Sequence, residues 1–152
     1  MSSRGHSEID PFQRDCVDVL RNKPGKRISK STHWIVRPGC GSNPRFCRHR
    51  VSCDSANGGG WTVIQRRVNG YSFWRSWNNY KDGFGNPRGS HWLGNELLHK
   101  LTNRENLQGT YELYVELTDF NKNTITVSYD SFIVESERNN YTLRLGNFIG
   151  GN

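Results

Sequence analysis

The sequence predicts an α+β fold whose N-terminal third is held by disulfides, and three observations predict it. All four cysteines lie in the first 53 residues of a polar chain, which is typical of a disulfide framework. In the middle of the chain apolar residues recur at helical spacing, whereas in the last third they alternate with polar residues as in strands. At 152 residues the chain is long enough for one domain with its own core.

The composition is polar and rich in aromatic residues. Hydrophobic residues make up 33% and charged residues 23% of the chain, which also holds 16 glycines. Large rings among many glycines indicate a turn-rich fold with a core of aromatic side chains. No apolar run approaches the ~18 residues that cross a bilayer. Met1 to Phe12 does not resemble a signal peptide, so an extracellular location requires a leader outside this sequence.

The positive charge is concentrated at the N-terminal end. Residues 1–53 hold 11 of the 21 basic and 4 of the 14 acidic side chains, and therefore the whole net charge of +7. Such a basic segment favours phosphates, sulfated glycans or anionic membranes as partners. The alternative is a solvated arm, which we favour because no aromatic residues alternate with the basic ones to form a stacking platform.

The cysteines Cys16, Cys40, Cys47 and Cys53 allow three disulfide pairings. A rival interpretation is a zinc site built from Cys40, Cys47, His49 and Cys53, since tetrahedral zinc accepts that ligand set. The usual Cys-x-x-Cys spacing is absent, however, and only one residue separates Cys47 from His49. We therefore expect two disulfides.

The first half of the domain reads as short extended segments joined by turns. His33–Val36 is an apolar run, followed by a stapled loop over Arg37–Arg50 that is rich in proline and glycine. Asn57–Gly60 predicts a tight turn, because glycine adopts positive φ without penalty. Trp61–Arg67 then predicts one continuous strand.

Two helices are predicted next. Phe73, Trp77 and Tyr80 fall at i, i+4 and i+7, which predicts a short helix from Ser72 that Gly83–Pro87 ends. A second helix is predicted over residues 92–102. Its apolar side would carry Leu93, Leu97, Leu98 and Leu101.

The last third predicts an antiparallel meander of three strands. Apolar and polar residues alternate over 111–118, over 125–129 and over 141–145, with Asn121–Asn123 as the first turn. Phe132-Ile133-Val134 continues the second run. The final residues Gly150-Gly151-Asn152 predict a flexible end.

The sequence lacks the catalytic signatures that can be read directly. There is no Gly-x-Ser-x-Gly elbow, no His-Glu-x-x-His and no Gly-x-x-x-x-Gly-Lys phosphate loop. His91 and His99 have no nucleophile at a recognisable spacing, so we expect surface or capping roles for both. No acidic cluster offers the converging oxygens that calcium needs. We expect a binding module, not an enzyme.

Several segments together carry a resemblance to a known family. The first of these segments is Asp15-Cys16, and the next are Cys53-Asp54 and the run GGGWTVIQRR at 58–67. Further on come Phe73, Trp77, Tyr80-Lys81, Gly83-Phe84-Gly85 and the run HWLGNE at 91–96. In this order and at these separations, the segments resemble the fibrinogen C-terminal-like domain over residues 14–152. Residues 1–13 are then a polar N-terminal tail.

The resemblance implies a disulfide arrangement. In this family the pairing would join Cys16 to Cys53. Cys40 and Cys47 lie in a stretch that departs from the family pattern, and would form an insertion-specific bridge.

The resemblance also implies that the chain stops before the last third of the domain. That part of family members carries an aspartate-rich calcium loop, a second disulfide and an aromatic pocket for acetylated sugars. We therefore expect no cofactor in this chain, with calcium only in a full-length domain, and we name no ligand-binding residue. Because the same part returns a strand to the sheet, we expect the isolated chain to be marginally stable or to self-associate.

The family comprises binding modules such as ficolins, tachylectins, angiopoietins, tenascins and the fibrinogen β and γ chain ends. We expect a secreted recognition module with lectin-like binding of acetylated carbohydrates, of the innate-immunity type. The alternative is a module that binds a receptor or matrix protein. Possible further partners are a second copy of the chain, or anionic glycans through residues 1–53. A nucleic-acid-binding zinc module ranks last. Asn140-Tyr141-Thr142 is an N-glycosylation sequon.

Overall fold

A computed structural model describes residues 13–22, 33–36, 49–55, 59–103 and 110–152. The chain divides into two compact units. The first comprises the described residues up to Arg75 together with Phe84–Leu93, and the second comprises Ser76–Gly83 and Gly94–Asn152.

The first unit begins with a short capped helix, α1 (Cys16–Arg21). Asp15 precedes it in an extended conformation, and its carboxylate accepts hydrogen bonds from the backbone N–H groups of Val17 and Asp18, at 3.0 and 3.1 Å. This side-chain cap satisfies donors that a helix start otherwise leaves open. The helix ends at Asn22.

Three strands form an antiparallel sheet beside this helix in the first unit. They are β1 (His33–Val36), β2 (His49–Asp54) and β3 (Trp61–Val63), in the order β1-β2-β3. Val19 of α1, Val36 of β1 and Val51 of β2 are completely buried and form the apolar centre of this unit.

A second small sheet of the first unit consists of β4 (Gln65–Arg66), β5 (Phe84–Gly85) and β6 (His91–Trp92), in the order β4-β6-β5. The prediction of one strand over Trp61–Arg67 is therefore wrong. The run divides at Ile64, because β3 pairs with β2 whereas β4 pairs with β6. Local sequence is equally extended on both sides of that point, so the partner strands decide the division.

His91 is 2% exposed, so a surface role for it is wrong. Its Nδ1 lies 3.2 Å from the carbonyl oxygen of Gly89 and its Nε2 lies 3.1 Å from that of Val63. Burial of the ring is tolerated because both ring nitrogens face backbone acceptors. His99 is half-buried, with its Nδ1 3.0 Å from the carbonyl oxygen of Val134.

The second unit holds two α-helices. Helix α2 (Trp77–Asp82) is capped by the Ser76 side chain and ends at Gly83, whose φ of 90° suits glycine. Helix α3 (Asn95–Thr102) buries Leu97, Leu98 and Leu101, which confirms three of the four residues of the predicted apolar side. The fourth, Leu93, precedes the helix and belongs to the first unit.

Both predicted helices start too early. Trp92 belongs to β6, and Gly94, with φ of 112°, precedes α3. Phe73 lies outside α2 and packs instead in the first unit, 6.1 Å from the ring of Tyr71 and 5.2 Å from that of Phe84. The spacing of Phe73 therefore reflected aromatic packing and not a helix face.

Five strands of the second unit form two sheets. Strands β7 (Leu113–Thr118), β8 (Thr124–Tyr129) and β11 (Phe148–Gly151) lie in the order β11-β8-β7. Strands β9 (Phe132–Val134) and β10 (Leu143–Leu145) form a separate antiparallel pair, and a 3-10 helix over Glu137–Asn139 connects them.

The predicted three-stranded meander over 111–145 is therefore wrong in its pairing, since β9 and β10 leave the β7–β8 sheet. The flexible end predicted for Gly150-Gly151-Asn152 is also wrong, because β11 pairs with β8. A Cβ at Gly151 would lie 2.3 Å from the carbonyl oxygen of Thr126, so glycine serves close approach of two strands here. Antiparallel sheets with short helices confirm the α+β fold class.

Candidate functional site

The structure joins Cys16 of α1 to Cys53 of β2 by a disulfide, and both cysteines are fully buried. The bridge spans 37 residues, for which chain entropy predicts about 4 kcal/mol of stabilisation. It removes Cys53 from the alternative zinc ligand set. Cys40 and Cys47 lie outside the described residues, so the bridge between them stays a prediction. No group of three or more His, Cys, Asp or Glu side chains within the described ranges is placed to hold a metal ion.

Asn140 ends the 3-10 helix in the left-handed conformation, with φ of 51°, and is exposed. Tyr141 follows with φ of 50° and is buried. The Thr142 hydroxyl of the sequon donates to the carbonyl oxygen of Asn139 at 2.6 Å. Glycosylation of Asn140 stays a prediction, and the exposed amide is compatible with it.

Tyr141 is the centre of a hydrogen-bonded network in the second unit. Its hydroxyl donates to a carboxylate oxygen of Glu96 on α3 at 2.8 Å, and its ring lies 5.9 Å from that of Trp77 on α2. The hydrogen bond from Tyr141 holds the pKa of Glu96 below its usual value. Burial, assisted by Glu96, raises the pKa of the Tyr141 phenol far above its usual value.

The same network continues to Glu137, which accepts a hydrogen bond from the indole Nε1 of Trp77 at 3.3 Å and pairs with the Lys81 ammonium at 2.6 Å. The polar groups of this network are therefore satisfied by one another. Such an arrangement positions α2, α3 and the turn at Tyr141 and leaves little for a ligand to bind.

The first unit carries a shallow, open groove of about 520 Å³. Its lining residues are Asn69, Tyr71, Gly85, Asn86, Arg88, Gly89 and Ser90. On one side the Ser90 hydroxyl donates to Asn69 Oδ1 at 2.7 Å and accepts from the N–H of Val68 at 3.1 Å. Asn69 Oδ1 also accepts from the N–H of Tyr71 at 3.1 Å. This wall is held in one geometry by side-chain contacts to the backbone.

The other wall is a tight turn over residues 85–90. Asn86 donates its N–H to the carbonyl of Ser90 at 3.1 Å, accepts from the N–H of Gly89 at 2.8 Å, and accepts through Oδ1 from the N–H of Arg88 at 2.9 Å. Gly85 enters the turn with φ of 86°, where a Cβ would lie 2.3 Å from the Ser90 carbonyl oxygen. Hydrogen bonds within the protein therefore hold both walls.

Among these groove residues, the sequence patterns marked Gly85 and Asn86, as part of the stretch that ends the first predicted helix. The signal that marks the groove as a whole is the distribution of charge. Residues 59–75 and 84–93 hold four arginines and no carboxylate, and aromatic residues lie between the arginines.

With this geometry in view, comparison with known proteins decides the family. Residues 12–152 match the family model for the C-terminal globular domain of fibrinogen beta and gamma chains. The chain belongs to this family. Its fibrinogen-like region is 50% identical to bovine (Bos taurus) angiopoietin-4 over 93% of the chain, and 50% identical to human (Homo sapiens) ficolin-3 over 91% of it.

A solved fibrinogen-like globe domain, that of human ANGPTL2, matches with a TM-score of 0.78 and 39% sequence identity over 92% of this chain. The chain spans 60% of that solved globe, 26% of angiopoietin-4 and 42% of ficolin-3. These matches confirm the resemblance and the fibrinogen-like fold. In the part of the chain that the structure describes, no helix is long and apolar enough to cross a membrane.

Proposed function

We propose that this fibrinogen-like chain serves in a secreted, non-catalytic recognition domain that binds acetylated carbohydrates in a lectin-like manner, as part of innate immunity. The observation that carries the proposal is the 50% identity to ficolin-3 over 91% of the chain.

Secretion is supported by the buried Cys16–Cys53 bridge, because structural disulfides form and persist in oxidising compartments. The absence of catalysis is supported by the chemistry of the groove. Its polar groups are amides, a serine hydroxyl, a phenol and a guanidinium, and Ser90 is engaged by Asn69 and Val68 and has no neighbouring general base in the lining.

A second candidate is recognition of a receptor or matrix protein, in line with the similarity to angiopoietin-4. Exposed apolar side chains of the second unit favour it. Leu117 of β7 and Ile125 of β8 stand directly opposite each other in the register and are 56% and 51% exposed. Adjoining apolar side chains at a surface mark contact sites for protein.

We propose five further properties of the protein. They are a domain over 14–152 preceded by a polar tail over 1–13, a Cys40–Cys47 bridge, glycosylation at Asn140, calcium only in a full-length domain, and self-association.

The test is an array of N-acetylated glycans and their de-acetylated counterparts, probed with the full-length secreted protein with its disulfides intact. Binding that requires the acetyl group supports lectin-like recognition. Equal binding to both sets, or binding to neither, contradicts it. A parallel arm measures capture of cell-surface receptors, and saturable binding there with no acetyl preference on the array would establish the second candidate instead.

A further inference from the structure

We propose that the groove between Asn69 and Asn86 in the first unit binds a sulfated oligosaccharide. This proposal does not rest on acetylated-sugar recognition, and it concerns residues other than the basic segment 1–53.

The two chain segments that supply the groove lining carry side-chain charge of one sign. Within the first unit, residues 59–75 and 84–93 contain Arg66, Arg67, Arg75 and Arg88 and neither Asp nor Glu. A surface of this kind raises the local concentration of an anionic ligand.

Two of the arginines stand at the groove itself. Arg88 is part of the lining, and the guanidinium of Arg75 lies 5.3 Å from the ring centroid of the lining residue Tyr71 and 5.7 Å from that of Phe84. Contact with the rings orients the Arg75 guanidinium without consuming its charge. Its Nε is 3.3 Å from the carbonyl oxygen of Ser72, which leaves the terminal N–H groups for an oxyanion. Planar, delocalised guanidinium groups bind oxyanions through paired hydrogen bonds.

The two asparagines add neutral donors. Oδ1 of Asn69 accepts the N–H of Tyr71, and Oδ1 of Asn86 accepts the N–H of Arg88. A backbone N–H only donates, so these contacts place the oxygens and leave the amide NH2 groups on the other side. Neither amide nitrogen has a hydrogen-bond partner among the described residues. The groove thus presents mainly donors, which suits a ligand whose sulfates and hydroxyls accept.

The aromatic residues of the groove argue against nucleic acid. Binding of single-stranded nucleic acid relies on an open ring face on which a base can stack. The Tyr71 ring stacks with that of Phe84 at 6.4 Å and is contacted by Arg75, so its faces are engaged within the protein. An anionic saccharide needs no such face.

The experiment uses the oxidised 152-residue chain and a heparin tetrasaccharide, measured by calorimetry. Its comparison ligands are the desulfated, N-acetylated tetrasaccharide and a single-stranded oligonucleotide of equal charge. We expect the desulfated sugar and the oligonucleotide to bind at least about tenfold more weakly, which corresponds to about 1.4 kcal/mol. Equal affinity for the oligonucleotide would show that the protein recognises only the charge of its ligand, and would overturn the proposal.

Variants locate the site. R75Q/R88Q should weaken tetrasaccharide binding at least about tenfold, since it removes two charge-assisted contacts. The control K122Q/R138Q removes the same charge from exposed positions of the second unit and should change affinity less than about twofold. If both pairs lose affinity equally, or if binding follows the basic residues of segment 1–53, the site is not this groove.

A second variant covers the case in which R75Q/R88Q fails to fold. N86D keeps the oxygen that accepts the Arg88 N–H but replaces the amide donor with an anionic oxygen. It should abolish measurable binding, whereas N78D makes the same charge change on exposed α2 and should retain it. A thermal melt of each variant confirms that it is folded, and tight binding by folded N86D would refute the proposal.

Discussion

Tyr141 shows how a single residue joins local strain to tertiary contacts. Its φ of 50° lies in a region that a residue with a side chain seldom occupies, and Asn140 before it is also left-handed. The hydroxyl reaches Glu96 and the ring packs against Trp77. These contacts offset the conformational cost of the left-handed backbone.

The Tyr141–Glu96 hydrogen bond should make stability depend on acid pH. Tyr141 lowers the pKa of Glu96 in the folded state. The hydrogen bond therefore contributes fully to the free energy of unfolding above the usual glutamate pKa, and this contribution is lost as the pH falls through the lowered pKa of the folded state. We expect Y141F to cost about 1–2 kcal/mol at pH 7, since Glu96 stays partly exposed to solvent, and less below about pH 4. Urea unfolding of both proteins at several pH values measures this.

The control for that experiment is Y129F, because Tyr129 has no hydrogen bond from its hydroxyl among the described residues. It should unfold like the parent protein at every pH. A Y141F deficit that stays constant down to pH 3 would mean that Glu96 is not its source.

At the scale of elements, the turn between strands β5 and β6 requires a glycine. β5 and β6 pair antiparallel, with Gly85 opposite His91. The turn between them brings the Ser90 carbonyl against Gly85, where no Cβ fits. The buried His91 and the groove wall at Asn86 both depend on this close approach.

We therefore expect G85A to destabilise the protein by about 1–3 kcal/mol, through a positive φ and a backbone clash. G89A is a matched control in the same turn, because a Cβ there meets nothing within 4 Å. It should shift stability by less than about 0.5 kcal/mol. Urea unfolding monitored by tryptophan fluorescence measures both, and equal midpoints would show that the turn relaxes around a side chain.

At the scale of the whole molecule, apolar surface is unevenly distributed. Several large apolar side chains of the second unit are at least half exposed: Leu117, Ile125, Leu143, Phe148 and Ile149. Leu117 and Ile125 are cross-strand neighbours in the β7–β8 pair. Adjacent apolar side chains of this kind favour association, whereas isolated ones are ordinary.

We therefore expect the 152-residue chain to self-associate. L117T/I125T should weaken that association at least about tenfold, because burial of each apolar side chain contributes about 1 kcal/mol or more to the free energy of association. Threonine keeps a strand-compatible, β-branched shape. V68T is the control, because Val68 is 65% exposed in the first unit. Sedimentation equilibrium over a concentration series measures the shift, and unchanged association in L117T/I125T would place the contact elsewhere.

The periodicity of the sequence predicted where helices and strands form, but not which strands pair with each other. The leucines of α3 are buried as their spacing requires, and β7 pairs with β8. Burial does not alternate along these strands, however, because β7 is half-buried over residues 113–115 and exposed over residues 116–118. The run Trp61–Arg67 and the predicted strand over 125–134 each divide between two sheets. Periodicity describes one segment, whereas a strand's partner is set by hydrogen bonds to residues far away in the chain.

The sequence by itself determined the family, the α+β class and the disulfide framework of the N-terminal third, because local motifs and their spacing indicate these properties. The tertiary structure alone decided the groove. Asn69 and Ser90 are 21 residues apart and meet through one hydrogen bond. Asn86 faces them only because Gly85 lets β5 approach β6. A binding surface assembled from separate turns has no periodic signature in the sequence, since non-local backbone contacts create it.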